Sequence, residues 1–142
     1  MIDTIKVSTT EKEIQEDLDK LKFTKTQRKL FDELSEILTK ALDFPLITIR
    51  GFLAFAFIEN QKYQTETMAE QEASDKLKDL TQEELIEYRI KNVGTIMDGF
   101  KTKISRVVRV KKKEHLLDEA VNKAFQHYKD NFSTRPPDIK GN

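Results

Sequence analysis

Apolar side chains recur at steps of three and four residues along most of the chain, which places them on one face of an α-helix. The longest such series lies within residues 81–110 and consists of Ile86, Ile90, Val93, Met97, Phe100, Ile104 and Val107. Thr81 and Glu84 precede it at the spacing of a capping box, whose side chains bind free backbone amides at a helix start. The pattern predicts a helix over 82–110 that supplies one wall of the core.

Two further capping boxes, Thr10 with Glu13 and Thr24 with Gln27, each precede an amphipathic segment. They predict helices over 10–22 and 25–43, the second ending before Pro45 because the residue that precedes a proline disfavours helical geometry. A last amphipathic segment predicts a helix over 114–132, folded back antiparallel on 82–110. One continuous helix from 82 to 132 is the second interpretation, because it would be unusually long for a globular domain.

Residues 46–58 are apolar on all sides, so periodicity does not distinguish a helix from a strand there. Ile47, Thr48 and Ile49 are β-branched, and β-branched residues favour strands. However, no second segment offers a convincing strand partner. A buried central helix over 47–73 is therefore the preferred interpretation. The other is that part of the run is exposed and packs against a second copy, which leads us to predict a homodimer.

These patterns together predict an all-α protein, a compact bundle of four or five helices with a single domain over 1–132. Residues 133–142 contain two prolines and a glycine and are predicted to form a flexible tail. Residues 1–7 fit a short strand, an extended arm or a disordered lead equally well. The residues expected to be most buried are Leu34, Leu38, Phe52, Phe55, Ile90, Met97, Phe100, Ile104, Val121 and Phe125.

Composition and motifs exclude several classes of function. The absence of cysteine removes disulfide scaffolds, thiolate metal sites and cysteine nucleophiles. The nucleotide-binding and hydrolase motifs GxGxxG, P-loop, GxSxG and HExxH are absent. His115 and His127 are too far apart on a helix to share a metal, and Asp98 has no partner carboxylate for acid–base catalysis. We therefore expect a non-catalytic protein without a metal or another cofactor.

The sequence also lacks the features that direct a chain to a membrane. Its longest apolar run, Gly51–Ile58, is far shorter than the roughly 20 residues of a membrane-spanning helix. The first residues lack the basic-then-apolar pattern of a signal peptide, so we expect a cytoplasmic protein with no membrane partner. Its cysteine-free, motif-free composition, rich in lysine and glutamate, is typical of small proteins encoded by phages and plasmids.

Charge is balanced over the whole chain, with 25 basic and 25 acidic residues, but it is unevenly distributed. A basic cluster, called the 101–113 cluster below, contains Lys101, Lys103, Arg106, Arg109, Lys111, Lys112 and Lys113 with no acidic residue among them. A second group around residues 20–29 includes Lys25, Arg28 and Lys29, whereas residues 59–87 are rich in acidic side chains.

Cations along a strip bind nucleic-acid phosphates and release counterions. We therefore predict that both basic groups contribute to binding DNA or RNA. The alternative is an assembly module, inhibitor or adaptor that binds protein and no nucleic acid. In its homomeric form, the acidic residues of one copy would pair with the basic residues of another.

Overall fold

The computed structural model describes residues 7–67 and 81–132, except the side chains of residues 62–67. Within these ranges the chain forms five α-helices and no strand: α1 (Glu11–Leu21), α2 (Lys25–Leu42), α3 (Leu46–Thr67), α4 (Gln82–Val110) and α5 (Glu114–Asn131). The predicted all-α bundle is confirmed, including a helix at 46–58 and two separate helices over 82–132. The predicted helical residues 68–73 and the predicted tail over 133–142 lie outside the described residues.

All three predicted capping boxes are present, and each contains both of its hydrogen bonds. The threonine hydroxyl accepts a hydrogen bond from the amide three residues on, and the side chain there accepts from the threonine amide, in Thr10–Glu13, Thr24–Gln27 and Thr81–Glu84. Hydrogen bonds from the Thr9 and Thr10 amides lower the pKa of Glu13, because they stabilise its carboxylate. The starts of α1, α2 and α4 are thus determined by local sequence.

Helices α2, α3, α4 and α5 form a ring in which each helix packs on two neighbours, and α1 packs on α3. Neighbouring helices in the ring are antiparallel. Ala56 of α3 lies against Gly99 of α4, and one turn later Asn60 donates to Asn92 at 2.8 Å. The C-terminal end of α4 therefore lies at the same end of the bundle as the beginnings of α3 and α5.

Helix α3 occupies a central position, since it contacts α1, α2 and α4. Ile49, Leu53, Ala54 and Ala56 are at most 2% exposed. This burial explains why the segment is apolar on all sides, as is typical of a helix enclosed by other elements.

The residues that precede α1 complete the cover of α3 at Gly51. A Cβ atom at Gly51 would lie 2.3 Å from the backbone oxygen of Ser8 and 3.3 Å from Cγ1 of Val7. The Ser8 hydroxyl donates to the Asp17 carboxylate at 2.6 Å, which holds this segment against α1. Glycine is thus needed at position 51 because it permits this close approach of two backbones.

The burial pattern differs from the expected one at four aromatic or aliphatic positions. Phe52, Phe55, Ile90 and Phe125 are only partly buried, whereas the other six residues expected in the core are buried. Phe55 and Phe125 lie near the surface with lysine ammonium groups over their rings. In α4 the buried face also includes Ile96 and Val108, while Val107 is partly buried, so the stripe is rotated relative to the predicted one.

Phe100 provides a direct test of the core, because it is 0% exposed on the inner face of α4. We expect Phe100→Ala to lower the free energy of unfolding by about 3–5 kcal/mol, through lost apolar burial and the cavity left behind. Urea denaturation followed by circular dichroism measures this change. A loss within about 0.5 kcal/mol, the range of surface substitutions, would contradict the packing of α4.

Two helical glycines form a matched pair for a second test. At Gly99 a Cβ atom would meet only the Ala56 Cβ at 3.8 Å, an ordinary contact. Gly99→Ala should therefore raise the free energy of unfolding by up to roughly 1 kcal/mol, since alanine favours the helix. Gly51→Ala should lower it, because the new methyl group displaces the Ser8 backbone. Thermal unfolding measures both shifts, and a Gly51→Ala variant as stable as the unmodified protein or more stable would contradict the described path of residues 7–8.

Candidate functional site

The 101–113 cluster occupies the last turns of α4 and the loop that leads to α5. The structure divides it into two groups. Lys101, Lys103 and Lys113 form ion pairs with carboxylates of other helices or loops. The remaining four residues form no ion pair with any described residue: Arg106, Arg109, Lys111 and Lys112.

Lys113 connects two loops at one end of the bundle. Its Nζ donates to the backbone oxygens of Leu42 and Asp43 at 3.1 and 2.8 Å and lies 3.4 Å from the Asp43 carboxylate. The last carbonyls of a helix lack intrahelical partners, and a cation there also interacts favourably with the helix dipole. Lys113, which lies 5.2 Å from the centroid of the Phe44 ring, thus caps the end of α2.

Lys101 and Lys103 lie at the two boundaries of α4 with its neighbours. Lys101 Nζ is 2.6 Å from the Asp118 carboxylate of α5, and this hydrogen bond raises the pKa of Lys101. Lys103 Nζ is 3.3 Å from the Glu59 carboxylate of α3 and 5.2 Å from the centroid of the Phe55 ring. The charges of both lysines are therefore balanced within the chain.

The other four cations are exposed, and the two arginines among them lie on the side of α4 that faces away from the core. Arg106 and Arg109 are three residues apart and share this outer face, separated by about 4.5 Å along the helix axis. Lys111 and Lys112 follow in the loop beyond the last turn and are also exposed. We refer to these four residues as the exposed basic patch.

The loop that carries the two lysines of the patch has a defined geometry. Lys112 adopts a left-handed conformation with φ of 57°. Its N–H donates to the Arg109 carbonyl, and the Lys113 N–H donates to the Val108 carbonyl, both at 2.9 Å. These are the two hydrogen bonds of the Schellman motif that ends many helices. They hold the backbone of the loop directly against the last turn of α4.

The second basic group lies at the beginning of α2, at the end of that helix opposite to the one that Lys113 caps. Arg28 is paired with Asp19 at 3.1 Å, and Lys29 lies 3.9 Å from Glu33. Lys25 is exposed and forms no ion pair with a described residue. Residues 25–29 begin α2 whereas Lys113 contacts its end, a separation of about 20 Å or more along the axis. The structure therefore does not bring the two predicted basic groups onto one surface.

No group of three or more histidine or acidic residues in the described ranges is placed to hold a metal ion. His127 Nε2 lies 2.6 Å from the Glu33 carboxylate and links α5 to α2. His115 and Asp98 are exposed. Among the described helices, none combines the length and apolar character needed to cross a membrane.

A groove of about 380 Å³ between α1, α2 and α3 contains both acidic and basic side chains. Arg50 crosses it and contacts the carboxylates of Glu11 and Asp32 at 3.1 and 2.9 Å. These ion pairs link the three helices. They also neutralise the charges of Arg50, Glu11 and Asp32, which a ligand in the groove would otherwise contact.

The exposed basic patch is therefore the described surface best suited to bind an anion. Arginine guanidinium groups bind phosphate oxygens through paired N–H donors, and lysine ammonium groups add charge. The geometry alone supports this assignment, because no protein-family model, curated protein or solved structure matches this chain.

Proposed function

We propose that the chain is a non-catalytic accessory protein that binds nucleic acid through the exposed basic patch. The supporting observation is that four neighbouring cations at the end of α4 have no ion-pair partner among the described residues, whereas Lys101, Lys103 and Lys113 do. Binding of cations to phosphates releases condensed counterions, which provides the driving force. The site is thus smaller than the set of residues predicted from sequence.

The position of the patch also supports binding of an extended partner. The inner face of α4 is occupied by the core residues Phe100, Ile104 and Val108, so its charged side chains project to the outside. Like charges at helical spacing repel each other modestly, and a bound polyanion relieves this repulsion. We further propose that the protein is cytoplasmic. We also propose that a phage or plasmid encodes it, because its composition is typical of such proteins.

The alternative, a protein assembly module, has less support from the described surface. Ile49, Leu53 and Ala54, in and beside the apolar run that suggested a homodimer, are covered within the chain. Among the described residues, the exposed large apolar or aromatic side chains are Leu46, Ile47, Tyr88 and Val110. Tyr88 and Val110 lie about 33 Å apart along α4, and the other two belong to α3. Because α3 begins at the end of the bundle where α4 ends, Leu46, Ile47 and Val110 share that end, and Tyr88 lies apart from them. The exposed apolar surface of the described residues is therefore a small group and one isolated side chain.

Removal of the two arginines tests the proposed function. We expect Arg106→Gln/Arg109→Gln to weaken binding to fluorescent oligonucleotides at about 100 mM salt by roughly 10-fold or more, because two phosphate contacts are lost. The matched control is Lys12→Gln/Lys91→Gln, which removes the same charge from exposed positions outside both basic groups. We expect the control to bind within about 2-fold of the unmodified protein.

Three outcomes of the binding and sedimentation measurements would contradict the proposal. Equal losses for the two double variants would show that net charge, and not the patch, determines binding. The absence of binding to any oligonucleotide at micromolar protein in low salt would remove the nucleic-acid function. A change in sedimentation of the arginine variant, together with negligible oligonucleotide binding, would favour the assembly alternative.

The division of the 101–113 cluster is tested by comparing Lys113 with Lys111. Lys113→Gln should lower the free energy of unfolding by about 1–2 kcal/mol, since it removes charged hydrogen bonds to the end of α2, and should leave affinity nearly unchanged. Lys111→Gln should weaken binding and leave stability nearly unchanged, because its side chain has no described partner. Urea denaturation and fluorescence anisotropy on both variants measure the two effects. The reverse pattern would contradict the assignment of structural and binding lysines.

A further inference from the structure

We infer that the nucleic acid fitted by the exposed basic patch is a duplex, contacted through its phosphate backbone without recognition of base sequence. This inference rests on the proposed function and specifies its ligand. It depends on three features of the described residues: the covered aromatic rings near the patch, the rigidity of the patch and the position of Asp98 on α4.

Proteins that bind single strands stack the bases on exposed aromatic side chains. The two phenylalanine rings beside the 101–113 cluster are covered by its own lysines. The Lys103 ammonium lies over Phe55 and is held there by Glu59, and the Lys113 ammonium lies over Phe44. Tyr88 is exposed, but it lies 18 residues before Arg106, or about 27 Å along the helix. In the described part of the chain, the patch thus has no exposed phenylalanine or tyrosine ring beside it, and His115 offers a single small ring.

The patch is also a short, preorganised array. Arg106 and Arg109 project from a continuous helix, and the backbone of Lys111 and Lys112 is held by the Schellman hydrogen bonds. Arg106 and Arg109 lie about 4.5 Å apart along the helix axis, and a duplex carries one charge for about each 1.7 Å of its axis. A rigid duplex therefore presents several phosphates to the patch at once, whereas a flexible single strand must first lose conformational entropy.

Asp98 limits how α4 can approach the nucleic acid. It is exposed and precedes Arg106 by eight residues, about 12 Å along the axis. A helix that lay lengthwise in a groove to read bases would bring this carboxylate close to the phosphates, where like charges repel. The end of α4 can approach the backbone while Asp98 remains distant. This geometry favours phosphate contacts, which position a protein on a duplex but carry no sequence information directly.

The test uses fluorescence anisotropy with two 20-base-pair DNA duplexes of unrelated sequence and with their separated strands, between 50 and 200 mM NaCl. We expect the duplexes to bind within about 2-fold of each other and more tightly than either strand, as backbone contacts are independent of sequence. The slope of log K against log salt should be no steeper than about −3.6, which corresponds to four phosphates. Arg106→Gln/Arg109→Gln should reduce that slope by about 1.8, whereas Lys12→Gln/Lys91→Gln should leave it unchanged.

The possible failures distinguish this inference from the proposed function. Tighter binding to single strands, or a more than 10-fold preference for one duplex, would overturn the inference; if the arginine variant still lost affinity, nucleic-acid binding through the patch would stand. A slope steeper than the four cations allow would show that further residues contact the duplex and would also overturn it. Absence of binding to every oligonucleotide would overturn both.

Discussion

The burial of α3 is the constraint on which the rest of the structure depends. Because this helix is apolar on all sides, other elements must cover it. Helices α1, α2 and α4 provide most of that cover, and the backbone of Ser8 closes the position opposite Gly51. Helix α5 then packs between α2 and α4 and completes the ring. The outer face of α4 remains exposed as a consequence of this arrangement.

The same packing determines which cations of the 101–113 cluster are balanced within the chain. Cations at the boundaries of α4 reach acidic groups on neighbouring elements, as Lys101 does with Asp118 and Lys103 with Glu59. Arg106 and Arg109 lie on the opposite side of the helix and have no such neighbour in the described structure. Exposed ion pairs contribute little stability individually, so their main consequence is the distribution of charge that remains available to a partner.

Local features of the sequence predicted four of the five helices, whereas α3 was inferred because no second segment offered a strand partner. Tertiary contacts explain the remaining differences. The capping boxes and the apolar periodicity depend on residues three or four positions apart, and they located the helices within a few residues where described. The pairs Lys113–Asp43 and His127–Glu33 join residues 70 and 94 positions apart, for which no periodic signal exists. The basic cluster was therefore recognised in the sequence, but its division into paired and exposed cations required the structure.

The most direct measurement of where nucleic acid contacts the chain is a titration of the isotope-labelled protein with duplex DNA, followed by amide chemical shifts in two-dimensional NMR spectra. We expect the largest changes at residues 102–113 and little change at residues 25–29, which lie at the other end of α2. Changes centred on residues 25–29, or an unchanged spectrum from the folded protein at saturating duplex, would contradict binding through the end of α4.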